Sequence, residues 1–533
     1  MKKITVYLII IACTFGTVSN LIAQEAVKKA NFQVKYEKFV LDNGLEVVFH
    51  IDRSDPVVAV NLTAHVGSAR EVKGRTGFAH MFEHLLFLES ENLGKGGLDK
   101  LSAKIGGSGA NGSTSRDRTN YLQTVPKDAL EKMIWAEADK LGWFINTVTD
   151  AVLEKEKQVV KNEKRQSSDN APYGHNWLVI DQNLYPQDHP YQWQVIGSLA
   201  DLQAATLDDV KQFFKRWYVP NNVTLTLAGD FDSIQAKKWV EKYFSEIKAG
   251  DKITPLKKRS AKLKETQKRY HEDNFANLPQ ITRTYPTVEQ YHPDSYALNV
   301  LFEYLGNGKS APMYKVLVED KKLVPNADIY HQTSELAGQV YLIARAYSGI
   351  DLDDVNNGID QAFKAFEKDG ISDQDLKRIL ATQETNFYNQ LSSVLGKGAQ
   401  LAYYNIYTGD PGYAEKEIEA ILAVTTADVK RVYNQYIKSK AHVVTSFVPK
   451  GKIGLAVQGS TKAIVSEEQV VQGAEKQVDP NIATTYIKTP STFDRSQEPS
   501  YGESAEAIVP NIWQSQLDTI QVLGIKVDEV PLV

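Results

Sequence analysis

Between residues 38 and 65 the apolar positions fall in short β-branched blocks, Val47-Val48-Phe49 and Val57-Val58-Ala59-Val60-Asn61-Leu62, set apart by turn formers. Such blocks predict paired strands, with Asp42-Asn43-Gly44 as a hairpin turn. From Gly77 to Ser90 the spacing changes to that of a helix, apolar on several sides and hence buried. A glycine-rich stretch from Gly94 to Gly112 reads as loop, and Thr119 to Val125 as a strand. Pro126, Lys127 and Asp128 open a helix with its body over Ala129 to Trp143. A second helix is expected from Asp150, as N-cap, to Arg165.

The pattern then repeats. Ala204 to Trp217 reads as a helix and Val223 to Ala228 as a strand. Ala204-Ala205-Thr206-Leu207-Asp208-Asp209-Val210-Lys211 can be laid without gaps on Ala423-Val424-Thr425-Thr426-Ala427-Asp428-Val429-Lys430. Phe214 and Trp217 match Tyr433 and Tyr436, and Val443-Val444-Thr445 supplies the second strand. Thr206 and Thr425 each stand where an N-cap belongs. Two related α+β units of roughly 200 residues follow from this repeat.

The ends of the chain read differently. Lys2 and Lys3 precede an apolar run, and small or apolar residues continue to Ala23, the form of a secretory signal peptide over 1–23. Ile10-Ile11-Ala12-Cys13 also fits a lipoprotein processing site, so a lipid anchor on Cys13 is a competing expectation. Either route predicts an exported protein, periplasmic or associated with the outer membrane of a bacterium. The plan is then an N-terminal unit over 24–250, a basic connector over 251–272 and a second unit over 273–470. A linker rich in Pro, Ser, Thr, Gln and Glu covers 471–510. Residues 511–533 look like the start of a further homologous unit, since Leu517 to Leu523 resembles Leu41 to Val48 once Gly44 is skipped.

Composition narrows the chemistry. With 61 basic against 66 acidic residues the net charge is −5, which argues against a nucleic-acid partner. One cysteine excludes a disulfide scaffold, a thiolate zinc site and an iron–sulfur centre. The sharpest signal is His80-Met81-Phe82-Glu83-His84. Residues four apart share a helix face, so both imidazoles reach one metal ion, and Glu83 stands beside that face as a base. This is the inverted zinc-protease spacing. Catalytic zinc usually takes three protein ligands, and Glu154, Glu156 and Glu163 on the 150–165 helix are all candidates for the third.

At these residues the sequence resembles the insulinase/pitrilysin-type zinc peptidases, the family that includes mitochondrial processing peptidase and the core subunits of the cytochrome bc1 complex. The resemblance runs from about Glu37 to Lys450. It implies two α/β-sandwich lobes, each a mainly antiparallel sheet covered by helices, and one Zn2+ per chain. It also implies that His80, His84 and Glu163 bind the metal, that Glu156 supports the site, and that Glu83 activates water. An edge strand around Gly109, Ala110 and Asn111, ahead of Asp117-x-Thr119-x-Tyr121, would hold an extended or unfolded peptide substrate. The implied activity is endopeptidase. One family feature is missing: Val318 and Pro325 stand where the second lobe usually carries an arginine and a tyrosine. A second homologous subunit or a C-terminal half would then supply that pair. A non-catalytic peptide-binding or assembly protein on the same fold is the competing expectation.

Overall fold

The computed structural model describes residues 32–108, 110–465 and 485–502, and the backbone of 519–522 and 525–528. The first lobe carries β1 (Glu37–Val40), β2 (Glu46–Ile51), β3 (Val57–Ala64), β4 (Asn111–Thr114), β5 (Thr119–Pro126) and β6 (Val223–Gly229). They form one sheet in the order β1-β2-β6-β3-β5-β4, antiparallel except for the β2–β6 pair. The helices of this lobe are α1 (Phe78–Leu88), α2 (Gly97–Lys104), α3 (Leu130–Gly142), α4 (Asp150–Lys164), α5 (Asn176–Leu184), α6 (Leu199–Ala204), α7 (Leu207–Trp217) and α8 (Ser233–Phe244).

The second lobe repeats the design. Its strands are β7 (Gln267–Asp273), β8 (Gln280–Thr287), β9 (Ala327–Thr333), β10 (Gly338–Arg345), β11 (Val443–Pro449) and the short β12 (Thr461–Lys462). Their order is β12-β7-β11-β8-β10-β9. The run β7-β11-β8-β10-β9 matches β2-β6-β3-β5-β4 strand for strand, again with the first pair parallel and the rest antiparallel. Its helices are α9 (Pro293–Gly306), α10 (Leu352–Asp369), α11 (Asp373–Gln390), α12 (Val394–Thr408), α13 (Ala414–Leu422) and α14 (Thr426–Tyr436). The repeated helix is α7 in one lobe and α14 in the other. Both start with a reciprocal capping box, Thr206 with Asp209 and Thr425 with Asp428, so the same local chemistry satisfies the same orphan amides.

Each lobe lends a helix to the other. Helix α12 lies across β3 and β6 of the first sheet, and α5 lies across β8 and β11 of the second. Gly398 of α12 faces Ala228, Thr226 and Ala59 of the first sheet. Asn405 of α12 donates to Thr224 Oγ1 at 2.9 Å. In mirror fashion Asn176 of α5 donates to Thr282 Oγ1 at 3.1 Å and accepts from Thr445 Oγ1 at 2.6 Å. The exchange covers both faces of each sheet. That is why Val57 to Ala64 reads as a nearly unbroken apolar run, with all of it buried beyond Val57.

Four expectations change. The glycine-rich stretch is not all loop, since α2 and β4 form within it. The helix expected over Ala204–Trp217 starts later, at Leu207, because Thr206 caps it, and Ala204 is the last residue of the helix before. The connector expected over 251–272 stops at 266, and β7 begins at Gln267. Residues 485–502, expected as linker, are a strap on the outer face of α3. Arg495 is buried there, paired with Glu246 at 2.6 Å and lying over the Trp143 ring, while Trp135 Nε1 donates to its carbonyl at 3.0 Å. Aromatic stacking and a paired charge hold a segment whose composition carries no periodicity. Further on, the backbone pairs Thr519–Val522 with Ile525–Asp528. The expected signal peptide, Cys13 and most of the expected 471–510 linker lie outside the described residues.

Candidate active site

Helix α1 buries Phe78, Ala79, Met81, Phe82, Leu85 and Leu86, and turns His80, Glu83 and His84 to its partly open side. The helix begins at Gly77, whose φ of 90° is left-handed and which provides no side-chain cap. Glu71 takes over that task. Its carboxyl oxygens accept from Gly77 N at 3.0 Å and Ala79 N at 2.9 Å, so the first turn is fixed one residue before His80. Burial pushes the Glu71 carboxyl up to about 8, against the pull of these amide donors. A second anchor is Asp201, which accepts from Thr76 N and Oγ1 at 3.0 and 2.6 Å.

Helix α4 supplies the facing carboxylates. Its N-cap is Thr149, one residue earlier than the expected Asp150. Beyond Lys164 it widens into a π-type turn over Arg165–Asp169, a distortion frequent at functional sites. Of the three candidate glutamates, Glu163 meets both rings. Its Oε1 lies 3.6 Å from His80 Nε2 and its Oε2 3.3 Å from His84 Nε2. Zinc bonds of about 2.05 Å at tetrahedral angles put neighbouring ligand atoms about 3.3 Å apart, close to these two contacts, which run to the two oxygens of the one carboxylate. Among the described residues this is the one cluster of at least three His, Cys, Asp or Glu side chains able to hold a metal ion. Glu154 is instead bonded to Lys157 at 2.7 Å.

Glu156 is buried and sits 2.9 Å from His84 Nδ1. This contact keeps the proton on Nδ1 and turns the Nε2 lone pair towards the cluster. The hydrogen bond with Glu156 raises the pKa of His84, whereas burial and the neighbouring His84 charge lower that of His80 to about 4. His80 is therefore neutral at pH 7, as a ligand must be. Its buried Nδ1 meets no acceptor among the described residues.

Glu83 points to the edge strand. Thr114 Oγ1 donates a short hydrogen bond to Glu83 Oε2. A Cβ at Gly112 would come within 3.0 Å of Glu83 Cγ and 3.1 Å of the Phe87 ring, so a side chain there would press Glu83 and Phe87 away from the strand. Strand β4 pairs with β5 and is the outer strand of its sheet, leaving one edge open. Asn111 is exposed on it, with its Oδ1 accepting from Gly112 N at 3.0 Å. Ala110 packs against the lobe core, and Gly109 lies outside the described residues. Thr114 and Glu71 were not singled out from sequence; the six-residue step from Glu71 to Gly77 carries no periodic signal.

Two family models match the chain: "Insulinase (Peptidase family M16)" over residues 46–179 and "Peptidase M16 inactive domain" over 204–383. Together they take in more than half of the sequence, the first containing all of His80, Glu83, His84, Glu156 and Glu163. The chain belongs to peptidase family M16. A zinc protease of Helicobacter pylori, PqqE, is 29% identical over 76% of this chain and 90% of its own length. The crystal structure of a protease from Helicobacter pylori superposes with a TM-score of 0.72 at 28% identity, over 78% of this chain and all of that one. The first half of the periplasmic protease PqqL from Escherichia coli shares the fold, with a TM-score of 0.62 at 18% identity over 80% of this chain and 94% of that one. Like other members of the family, this protein is a two-lobed zinc metalloendopeptidase, and His80, His84 and Glu163 form its site for one Zn2+ ion.

Replacing Glu71 tests how far the metal site depends on the helix start. In Glu71→Gln one amide donor loses its acceptor, and the first turn of α1 loosens around His80. Zinc affinity is expected to fall about 10- to 100-fold, the usual effect of losing an outer support, measured by competition with a chromogenic chelator. Unchanged affinity would mean that Glu71 only stabilises the fold.

Proposed function

We propose that the protein cleaves extended or unfolded polypeptides, held as an added strand along the free edge of β4. One observation carries this reading: Glu83 is fixed by Thr114 of the open edge strand, immediately beside a three-ligand metal cluster. A peptide paired to β4 through its backbone lies across the cluster with one carbonyl next to Glu83. Bound zinc would polarise that carbonyl and lower the pKa of the attacking water. Glu83 takes the proton from the water on its carboxylate and returns it to the leaving nitrogen. Glu156 acts through His84, and is a positioning residue.

Backbone pairing favours chains without stable structure and gives loose side-chain selection. Val318, in the turn at Tyr314–Asp320, and Pro325 offer no arginine or tyrosine to the substrate carbonyl, which supports a partner half or subunit as their source. The lysines and apolar run that open the chain support export, as does the periplasmic protease from Escherichia coli that shares the fold.

The direct test is hydrolysis of a reduced, alkylated protein alongside its folded form. The unfolded substrate should be cut, the folded one spared, and cutting should stop with a chelator and return with Zn2+. Cleavage that survives complete metal removal would overturn the proposal.

A further inference from the structure

Side chains alternate across a strand, and β4 uses both of its faces. Gly112 and Thr114 face α1 and Glu83. Ser113 therefore faces the opposite side of the sheet, the side over which the second lobe lays α12. A peptide added to the open edge has the same alternation. Residues presented to Glu83 have neighbours whose side chains point to the α12 side.

On that side stands Arg118. Its Nη1 donates to Ser113 O at 3.1 Å, Ser113 Oγ at 2.8 Å and Asn120 Oδ1 at 2.8 Å. Its guanidinium lies 4.6 Å from the centre of the Tyr403 ring of α12, and Asn120 Nδ2 donates to Tyr403 Oη at 3.1 Å. Every hydrogen-bond acceptor here is neutral. Arg116, two residues earlier, is paired with Asp181 at 2.6 Å, whereas no ion pair is formed by Arg118 among the described residues. Asp117, the nearest acid in sequence, is committed to the Tyr191 hydroxyl at 2.6 Å and to Glu335 N at 2.9 Å. Arg118 is only partly buried, and among the described residues its fork has no charged acceptor, the neutral Tyr403 hydroxyl adding to its partners.

An arginine held flat on an aromatic ring, with no charged acceptor on its donor fork, is pre-organised for a carboxylate. We propose that Arg118, steadied by Tyr403 of the second lobe, is a specificity-determining residue that selects an acidic side chain next to the substrate residue presented to Glu83. This rests on strand addition at β4, and it gives the lobe without a metal cluster a direct part in substrate choice.

The test uses the full chain with Glu83→Gln, which separates binding from cleavage. Fluorescent unstructured peptides, identical except for Glu, Gln or Lys scanned through successive positions, are titrated by anisotropy. At one position the Glu peptide should bind about tenfold more tightly than the Lys peptide at low salt, with the gap closing at high salt. Adding Arg118→Lys should keep the preference, and adding Arg118→Glu should reverse it. The reversal is a gain that a misfolded variant cannot produce. Binding without charge preference, a preference unmoved by Arg118→Glu, or no binding at all would each overturn the inference. Selective binding without cleavage by the wild-type chain would count against the proposed hydrolysis and leave this assignment standing.

Discussion

Glu83→Gln is expected to keep its zinc and lose peptide hydrolysis by about 10²- to 10⁴-fold in kcat, the range for a general base that moves a proton in the transition state. The amide has nearly the shape of the carboxylate and can still accept from Thr114 Oγ1, so the β4–α1 contact survives. It cannot take a proton from water at pH 7. Glu83 is not among the side chains grouped as metal ligands, so metal content measured after gel filtration should stay at one equivalent. KM should change little, because pairing with β4 does not involve this side chain. Activity within a few-fold of wild type would remove Glu83 from the chemistry, and loss of zinc would make it a ligand.

Removing ligands separates two effects that are often confused. The Glu163 side chain is 43% exposed, so Glu163→Ala takes away a ligand without leaving a cavity or a stranded charge. Zinc affinity should fall at least 100-fold and activity with it, while the metal-free protein melts where the metal-free wild type does. His84→Ala removes a ligand too, but it also strands Glu156, whose side chain is only 5% exposed and has His84 as its partner at 2.9 Å. A buried carboxylate left unpaired costs about 2–3 kcal/mol, so this variant should lose stability even without metal. Calorimetry of the metal-free proteins reads the difference. Equal melting of the two variants would mean that Glu156 does not depend on His84.

The parts of this site differ in how plainly the sequence spells them. His80 and His84 stand out because four residues are one helical turn, and such spacing needs no knowledge of the fold. Glu163 was one of three candidates on a charged helix; spacing alone left it open, the family resemblance pointed to it, and the approach of α4 to α1 sets it against both rings. Gly112, Thr114 and Glu71 were silent for a different reason: each acts through a single contact between elements, and one contact leaves no period. The duplication was legible from the Thr206 and Thr425 caps, since capping is local. Strap residues 485–502 read as linker because Arg495 among aromatic rings and scattered polar pairs such as Thr489 with Glu91 and Glu498 with Lys132, not an apolar stripe, bind them down.

The reciprocal loan of α5 and α12 makes the two halves mutual hostages. Parted from its neighbour, each sheet would be bare on the face the other lobe shelters, with Thr224 or Thr445 deprived of its asparagine partner. Duplication here has yielded a molecule that is assembled only once, so a degenerate second copy, freed from holding zinc, cannot be discarded.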